Sequence, residues 1–271
     1  MLFSVFSALV LASFAGARSV GTPRIRDTVN SHPPLSQSSV VKRDVLSSNW
    51  AGPVKAGSGI SVVEATWTVP NVSIPVGRSK TDQYWFYQWV GIDGVGNCTV
   101  LLQGGTGHTI TNGVVDVYTW YEFYPANWIR GAVKGETANA RPSSCREMDS
   151  KLLSPTVSIG DEVYTKVTAT SNTTGTIHFW NKSTGFAATH RVKSVHGPLC
   201  QKSADWIAED PGDLVPFPDF TTYDFHKCKA TTSSGETLNL GGSEKWYMKQ
   251  RGRVLASSEI TSDTDVTFKN G

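Results

Sequence analysis

Apolar and polar residues alternate with a period of two along most of this chain. Residues 63–69 read VEATWTV, residues 163–170 read VYTKVTAT and residues 177–180 read IHFW. That period indicates β-strands with one buried face, whereas a helix would repeat its apolar positions every three to four residues. Short turns rich in Gly, Asn and Thr separate these segments. No segment shows a long helical pattern, so the sequence predicts an antiparallel β-sandwich or barrel.

The alternation is missing from the N-terminal part of the chain. Residues 1–17 are mostly apolar, contain no acidic residue and end in small residues, which is typical of a secretory signal peptide. Residues 18–43 are rich in Ser, Pro, Thr and Val, and they end in the dibasic pair Lys42-Arg43. We interpret them as a propeptide cleaved after that pair, so that the mature chain begins near Asp44 and is secreted to the extracellular space. No later stretch is long and apolar enough to span a bilayer.

Charge also separates the N-terminal part from the rest. The chain carries 25 Lys and Arg against 23 Asp and Glu, a net charge of +2. Residues 1–43 contain five of those basic residues and one acidic residue, which leaves 20 basic and 22 acidic residues in residues 44–271. The mature part is therefore slightly acidic and lacks a basic surface for nucleic acid. Its length suits one large β domain, residues 44–271, which we expect to be a monomer.

Cysteines and glycosylation tripeptides fit a secreted protein. The four cysteines all lie beyond the propeptide, at Cys98, Cys145, Cys200 and Cys228. Their spacing matches no zinc site, and an even number behind a signal peptide predicts disulfides, for which sequence alone permits three pairings. Four Asn-X-Ser/Thr tripeptides lie in or beside turn-like segments, at Asn71, Asn97, Asn172 and Asn181. They are compatible with glycosylation on a secreted surface, and because such tripeptides also arise by chance, the sequence leaves their occupancy open.

Three polar residues stand out in the sequence. Gln103 follows an apolar run and precedes a Gly-Gly break, which by itself suggests a strand end. Glu122 lies within the aromatic run WYEFYP, where an ionised carboxylate needs a partner or solvent. Glu209 precedes Asp210-Pro211, a pattern that alone indicates an exposed turn. Taken one at a time, none of the three identifies a catalytic site.

Several segments together resemble the fungal glutamic peptidases, or eqolisins. The matching segments read SNWAG from residue 48, ATWTVP from 65, WVGIDG from 89, LQG from 102, WYEFYP from 120 and ADWIAED from 204. They follow one another in the family's order over most of the mature chain, which is far more specific than any single motif. The resemblance implies an acid-acting endopeptidase on an antiparallel β-sandwich of two curved sheets, of concanavalin-like or jelly-roll type. It also implies protein and peptide substrates, inhibition by the propeptide, and no need of a metal or another cofactor.

The resemblance assigns roles to individual residues. The family's catalytic Gln falls on Gln103 and its catalytic Glu on Glu209. Supporting or substrate-binding residues around that pair fall on Trp50, Trp89, Asp93, Tyr121 and Glu122. The resemblance further implies a Cys98–Cys200 disulfide and so leaves Cys145 to pair with Cys228. Two departures concern the rim of the cleft: no acidic residue follows Gln103 in GGTGH, and residues 126–154 are longer and more basic than the family pattern.

The chemistry explains why a Gln and a Glu would serve an acid peptidase. A glutamate can take a proton from water in acid because its reference pKa, about 4.3, lies near the operating pH. A glutamine amide can orient that water through its oxygen and stabilise the oxyanion through its NH₂ group. The amide does not titrate, so its role survives at low pH.

A carbohydrate-active protein is the alternative function. A lectin-like sandwich, or a glycosidase with paired carboxylates, would use Asp93, Glu122 and the aromatic run that contains Glu122. A basic propeptide with a dibasic cleavage site fits this alternative less well, because latency matters most for an enzyme that could digest its own host. The sequence contains no Gly-x-Ser-x-Gly elbow of a serine hydrolase.

Overall fold

The computed structural model describes residues 44–130, 156–212 and 216–271. In this part of the chain there are 18 strands and no helix, and hence no helix that could cross a membrane. The strands are β1 (Asp44–Ser47), β2 (Trp50–Ala56), β3 (Ile60–Thr68), β4 (Val72–Ser73), β5 (Gln83–Asp93), β6 (Leu101–Thr111), β7 (Val114–Tyr124), β8 (Ile129–Arg130), β9 (Glu162–Ala169), β10 (Thr174–Asn181), β11 (Phe186–Lys193), β12 (Ser203–Glu209), β13 (Asp219–Phe220), β14 (Tyr223–Thr232), β15 (Thr237–Leu238), β16 (Glu244–Gln250), β17 (Arg253–Ile260) and β18 (Val266–Asn270). The predicted signal peptide, the propeptide and Cys145 lie outside the described residues.

Sixteen of the described strands form one long, almost wholly antiparallel sheet that folds back on itself, and β4 and β13 form a separate two-stranded sheet. The order of the long sheet is β11-β10-β9-β3-β14-β18-β17-β16-β2-β12-β5-β6-β7-β8, with β15 beside β14 and β1 parallel to β16. Strands β5 and β6 at one end of this path contact β3, β9 and β10 at the other end, so the sheet makes two packed layers. The antiparallel β-sandwich predicted from the sequence is confirmed.

The main core lies between the two layers. Trp67 of β3 is fully buried there and stacks on Phe225 of β14, with ring centroids 4.5 Å apart. Its indole N–H donates to Thr106 Oγ1 at 3.0 Å, and Thr106 in turn donates to Gln88 Oε1 at 2.8 Å. Burying one large apolar side chain contributes about 1.5–3 kcal/mol, and pairing the polar groups avoids the desolvation cost of burying them.

Strands β5, β6 and β12 and the second half of β7 are buried on both faces, unlike the alternating strands β3, β9 and β10. We call the side that faces β3 and β9 the core face and the other side the aromatic face. The aromatic face is covered by a second apolar cluster: Trp50, Val54, Trp85, Tyr87, Trp89, Val95, Leu101, Tyr118, Trp120, Tyr124, Ile207 and Trp246. Because apolar clusters cover both faces of β5, every residue of this strand after Gln83 is buried.

Two glycines allow the strands under the aromatic face to approach closely. A Cβ on Gly105 would lie 1.9 Å from the carbonyl oxygen of Gln88 in the neighbouring strand. A Cβ on Gly52 would lie 2.0 Å from the carbonyl oxygen of Trp206, and the φ of Gly52 is +144°. Both contacts involve backbone atoms that cannot rotate away, so a larger residue at either position would separate the paired strands.

One predicted disulfide is confirmed and the other is not supported. Cys98 and Cys200 are bonded, with Cα atoms 5.7 Å apart, and join the turn after β5 to the chain just before β12. Cys228 is a free thiol on β14 and is fully buried in the main core. Its expected partner, Cys145, lies outside the described residues.

Three of the four glycosylation tripeptides are on the surface. Asn71, Asn97 and Asn172 are exposed, and glycosylation there stays a prediction. Asn181 is buried, and its amide donates to the carbonyl oxygen of Thr156 and to Asp161 Oδ2. Asn181 is therefore not on the surface that the sequence interpretation assumed, because its amide nitrogen is enclosed and already bonded.

Candidate active site

The side chains of four residues lie on the aromatic face: Gln103, Glu122, Glu209 and Trp89. Antiparallel pairing places Gln103 of β6 opposite Gly91 of β5 on one side and Glu122 of β7 on the other. Glu209 at the end of β12 is opposite Tyr87 of β5 and Trp50 of β2. Since side chains two residues apart share a face, these positions and Trp89 all lie on the same side of the sheet.

Glu209 is held by hydrogen-bond donors although it is 3 % exposed. The indole N–H of Trp89 donates to Oε2 at 2.7 Å, and the amide of Asn49 donates to Oε1 at 3.3 Å. Burial raises the pKa of Glu209 to about 8, while hydrogen bonds from Trp50, Trp89 and Asn49 favour the ionised form and the charge of Asp210 opposes it. The pKa thus lies well above the reference value from which the sequence argument started.

Gln103 and Glu122 are direct cross-strand partners. Gln103 Nε2 donates to Glu122 Oε2 at 2.8 Å, and both side chains are 2 % exposed. The oxygen of the Gln103 amide is buried without a hydrogen-bond partner in the protein. Burial raises the pKa of Glu122 to about 8; the Gln103 amide works against this shift and the charge of Glu209 adds to it. Gln103 is therefore a fixed amide with one free acceptor, rather than the strand-end residue that its local sequence suggests.

Tyr87 lies within the field of both carboxyl groups. Its pKa is raised well above the usual value, first by burial, then by Tyr118, and also by the charges of Glu209 and Glu122. The charge of Glu209 also acts on Glu122, as noted above, so the two carboxyls are close enough to feel each other. In an apolar site, two such neighbours cannot both ionise cheaply.

Aromatic rings fix the groups that hold Glu209. Trp50 meets Trp89 edge-on with centroids 4.9 Å apart and packs beside Trp246 at 5.8 Å. Tyr87 packs against Trp120 at 4.8 Å. These contacts exclude water and leave each indole little freedom, which strengthens hydrogen bonds to the enclosed carboxylate.

Two of the predicted supporting residues do not contact this group. Tyr121 lies on the core face and stacks on His190, with centroids 4.4 Å apart, so the structure does not bring it together with Gln103 and Glu209. Adjacent residues of a strand point in opposite directions, and Glu122 takes the aromatic face. Asp93 supports the site from a distance: its carboxylate accepts the backbone N–H groups of Gln201 and Lys202, each at 2.7 Å, just before β12.

The sequence argument missed Asn49. This residue contacts Glu209 and is itself positioned by Ser47, whose hydroxyl oxygen accepts the backbone N–H groups of Asn49 and Trp50. The only signal in the sequence was its place beside Trp50 in SNWAG, and nothing in spacing separates it from Ser48. Within the described residues, no cluster of three or more His, Cys, Asp or Glu side chains is arranged to hold a metal ion.

Comparison with known proteins identifies the family. The profile of the Peptidase A4 family matches residues 48–270. The chain is a member of the peptidase A4 family. This A4 peptidase is 31 % identical to aspergillopepsin-2 of Aspergillus niger over 236 residues, which cover 80 % of the chain and 76 % of the relative. It is 29 % identical to scytalidopepsin B of Scytalidium lignicola over 237 residues, which cover 83 % and 77 % of the two chains.

Solved structures of glutamic peptidases share the fold. Scytalido-glutamic peptidase with a transition state analog inhibitor has a TM-score of 0.67 and 26 % identity, over 83 % of this chain and 98 % of that one. Aspergilloglutamic peptidase from Aspergillus niger has a TM-score of 0.56 and 30 % identity, over 69 % and 99 % of the two chains. The A4 peptidase described here is therefore a glutamic peptidase, an acid endopeptidase, rather than the carbohydrate-active protein considered as the alternative.

Proposed function

We propose that this A4 peptidase hydrolyses peptide bonds with a dyad of Gln103 and Glu209. The observation that carries the proposal is the Glu209 carboxylate, bonded to Trp89 at 2.7 Å on the same buried face as the Gln103 amide. Glu209 is the general base, and Gln103 stabilises the oxyanion.

The reaction needs one proton transfer in each direction. Ionised Glu209 takes a proton from water, and the water oxygen attacks the peptide carbonyl carbon to give a tetrahedral oxyanion. Gln103 accepts a hydrogen bond from the water at its free Oε1, and the N–H that Glu122 does not use donates to the oxyanion. Glu209 then returns the proton to the amide nitrogen as the C–N bond breaks, giving a carboxylic acid and an amine.

Hydrogen-bond donors decide which carboxyl group carries the charge. Glu209 receives hydrogen bonds from two indoles and one amide, whereas the side-chain donor to Glu122 is the amide of Gln103. Ionisation is therefore easier at Glu209 than at Glu122, and Glu122 keeps its proton. With a pKa of about 8, ionised Glu209 is a minority species in acid but a stronger base than an exposed glutamate.

Secretion and latency belong to the same proposal. Residues 1–17 direct secretion, and residues 18–43 are a basic propeptide that lies against the acidic cleft until cleavage after Lys42-Arg43. The distribution of charge along the chain supports this, because residues 1–43 carry five basic residues and one acidic residue, whereas residues 44–271 carry 22 acidic and 20 basic residues. N-terminal sequencing of secreted protein should find a start near Asp44, and a start far from this point would contradict the boundary.

The substrate class is tested by incubating purified protein at acid pH with denatured protein and, in parallel, with a panel of polysaccharides. We expect the wild type to release peptides even with a chelator present and to release no sugar. The Glu209→Gln variant should release only a small residual amount of peptide. Sugar release that Glu209→Gln abolishes would instead assign these carboxyls to glycoside hydrolysis.

A further inference from the structure

A second pair of carboxyl groups is buried under the aromatic face, away from Glu209. Asp93 ends β5 and Asp205 lies near the start of β12, and both are 0 % exposed. Asp205 is opposite Gly91 of β5, so the two aspartates lie at the same end of neighbouring strands. The proposed mechanism uses neither of them.

The two carboxyls have very different partners. Asp93 Oδ2 accepts the backbone N–H of Gln201 at 2.7 Å, and its Oδ1 accepts those of Lys202 at 2.7 Å and Ser203 at 3.3 Å. Such bonds favour the ionised form. Asp205 Oδ1 has no partner, and its Oδ2 has one long contact, 3.5 Å, from the hydroxyl of Ser203. Burial raises the pKa of Asp93, and its hydrogen bonds from backbone N–H groups oppose that rise, whereas burial raises the pKa of Asp205 well above the usual range with one weak donor against it. Of the two carboxyls, Asp93 is therefore the one that ionises more readily.

No described cation compensates a charge on Asp205. On β2, Lys55 follows the residue opposite Asp205, and its ammonium group donates to the carbonyl oxygen of Gly241. Lys202 donates its side chain to Ser58. On β16, Glu244 is opposite Val54, the residue of β2 that is also opposite Asp205. Glu244 is acidic as well, and its carboxylate accepts the indole N–H of Trp246. The remaining neighbour, Asp93 on β5, is itself acidic. Burial raises the pKa of Asp205 well above the usual range, and the negative charge of Asp93 raises it further.

We propose that Asp205 is protonated in the folded protein beside an ionised Asp93, and that this pair positions the strand that carries Glu209. The connection is short: Asp205 precedes Glu209 by four residues on the same face of β12, and Asp93 fixes the chain that enters β12. Gly94, next to Asp93, also contacts the Trp50 ring, since a Cβ on it would lie 3.1 Å from Cη2. Trp50 in turn bonds to Glu209. The positioning role rests on the proposed dyad, whereas the protonation of Asp205 does not.

Ionisation of Asp205 should therefore loosen β12 as the pH rises. A carboxyl whose folded pKa lies above its unfolded pKa, about 3.9 for Asp, contributes its stability fully below that pH and loses it as the pH rises. An isosteric, neutral Asn at position 205 should remove this dependence. An Asn at position 93 should not remove this dependence. It should destabilise the protein instead, because its NH₂ group would face backbone N–H donors.

The experiment compares the secreted, active forms of Asp205→Asn, Asp93→Asn and wild type, with Asp263→Asn on the surface as the matched control. Thermal unfolding is followed by circular dichroism from pH 3 to 7, and kcat/KM is measured in acid before and after one hour at pH 7. For Asp205→Asn we expect a flatter dependence of the midpoint on pH, acid kcat/KM within about threefold of wild type, and about tenfold more activity surviving pH 7. Asp93→Asn should be less stable at every pH, and Asp263→Asn should follow wild type.

An Asp205→Asn variant that is as pH-sensitive as wild type, or as unstable in acid as Asp93→Asn, would overturn the proposal. If Asp205→Asn does not fold, wild-type protein labelled with ¹³C at the aspartate carboxyls decides. One aspartate should stay protonated at pH 6, and titration of all of them below pH 5 would overturn the assignment. Unfolding and NMR do not depend on activity, so a failure here is distinct from a failure of the dyad.

Discussion

The two faces of the central strands shift the pKa values of their buried ionisable groups in opposite directions. On the core face, His108 is buried beside Phe86 with Nε2 bonded to the carbonyl oxygen of Pro70, and burial lowers its pKa to about 4. On the aromatic face, burial raises the pKa values of Glu122 and Glu209 to about 8. In both places the neutral form is favoured.

The difference lies in what each face does with its donors. The core face pairs its polar groups with neutral partners, as in the Trp67–Thr106–Gln88 chain, and leaves Gln88 Nε2 without one. The aromatic face directs indole and amide N–H groups at one carboxylate and leaves the oxygen of Gln103 without a partner. Hydrogen bonds among neutral groups stabilise a fold, whereas donors aimed at a buried carboxylate beside an open acceptor are features of a reactive site.

The largest effect on stability should come from the disulfide under the aromatic face. Replacing Cys98 and Cys200 by Ser should cost about 2–5 kcal/mol, because the bridge restricts the unfolded chain and joins β5 to β12. Cys228→Ala on the core side is the matched control and should cost about 1 kcal/mol or less, since it removes one buried sulfur. Denaturant unfolding measures both. Equal losses, or a peptide map linking Cys228 to another cysteine, would contradict the assignment of bridge and free thiol.

A pair of tryptophans compares the two faces directly. Trp89→Phe removes the hydrogen bond that the indole N–H donates to Glu209, and Trp67→Phe removes the one that its indole N–H donates to Thr106. We expect Trp89→Phe to lower kcat/KM by about 10- to 100-fold, the scale of a hydrogen bond to a charged group, and to move the acid limb of the pH profile upward. Trp67→Phe should cost about 0.5–1.5 kcal/mol of stability and leave that pH profile unchanged. Similar pH profiles for both variants would mean that Trp89 is only a packing residue.

Glu122→Gln tests the pH dependence of stability from the aromatic face. The folded pKa of Glu122, about 8, lies above its unfolded value, so its contribution is complete below about pH 4 and is lost as the pH rises toward 8. Glutamine keeps an acceptor for Gln103 but cannot ionise. Stability measured by urea unfolding should therefore fall less steeply between these pH values than in wild type. An unchanged slope would show that Glu122 is not the titrating group.

His108→Gln tests the core face, with the opposite sign and a smaller expected effect. The folded pKa of His108, about 4, lies below its unfolded value of about 6.5, so its contribution is present above that pH and is lost as the pH falls toward 4. The variant should lose less stability than wild type on acidification over this range. A steeper loss would contradict a neutral, buried His108.

The period of two predicted the strands and the sandwich, whereas the Cys98–Cys200 bridge and the choice of Gln103 and Glu209 came from the resemblance to the glutamic peptidases. A period of two tells which residues share a face, but it cannot tell which face is covered or that both are. Tyr121, which the resemblance placed in the site, is one residue from Glu122 and stacks on His190 on the opposite face. The burial of Cys228 and Asn181 was not predicted either, since spacing carries no information on burial.

The central claim is that Gln103 and Glu209 act on one transition state. The direct measurement is kcat/KM for Glu209→Gln, Gln103→Ala and the double variant on one peptide across acid pH, with circular dichroism confirming the fold. We expect a loss of about 10²–10⁴ for Glu209→Gln and at least about 10²–10³ for Gln103→Ala, with a double variant well short of the product of the two. A folded Glu209→Gln variant with near-normal turnover would contradict the account and make Glu122 the next candidate for the base.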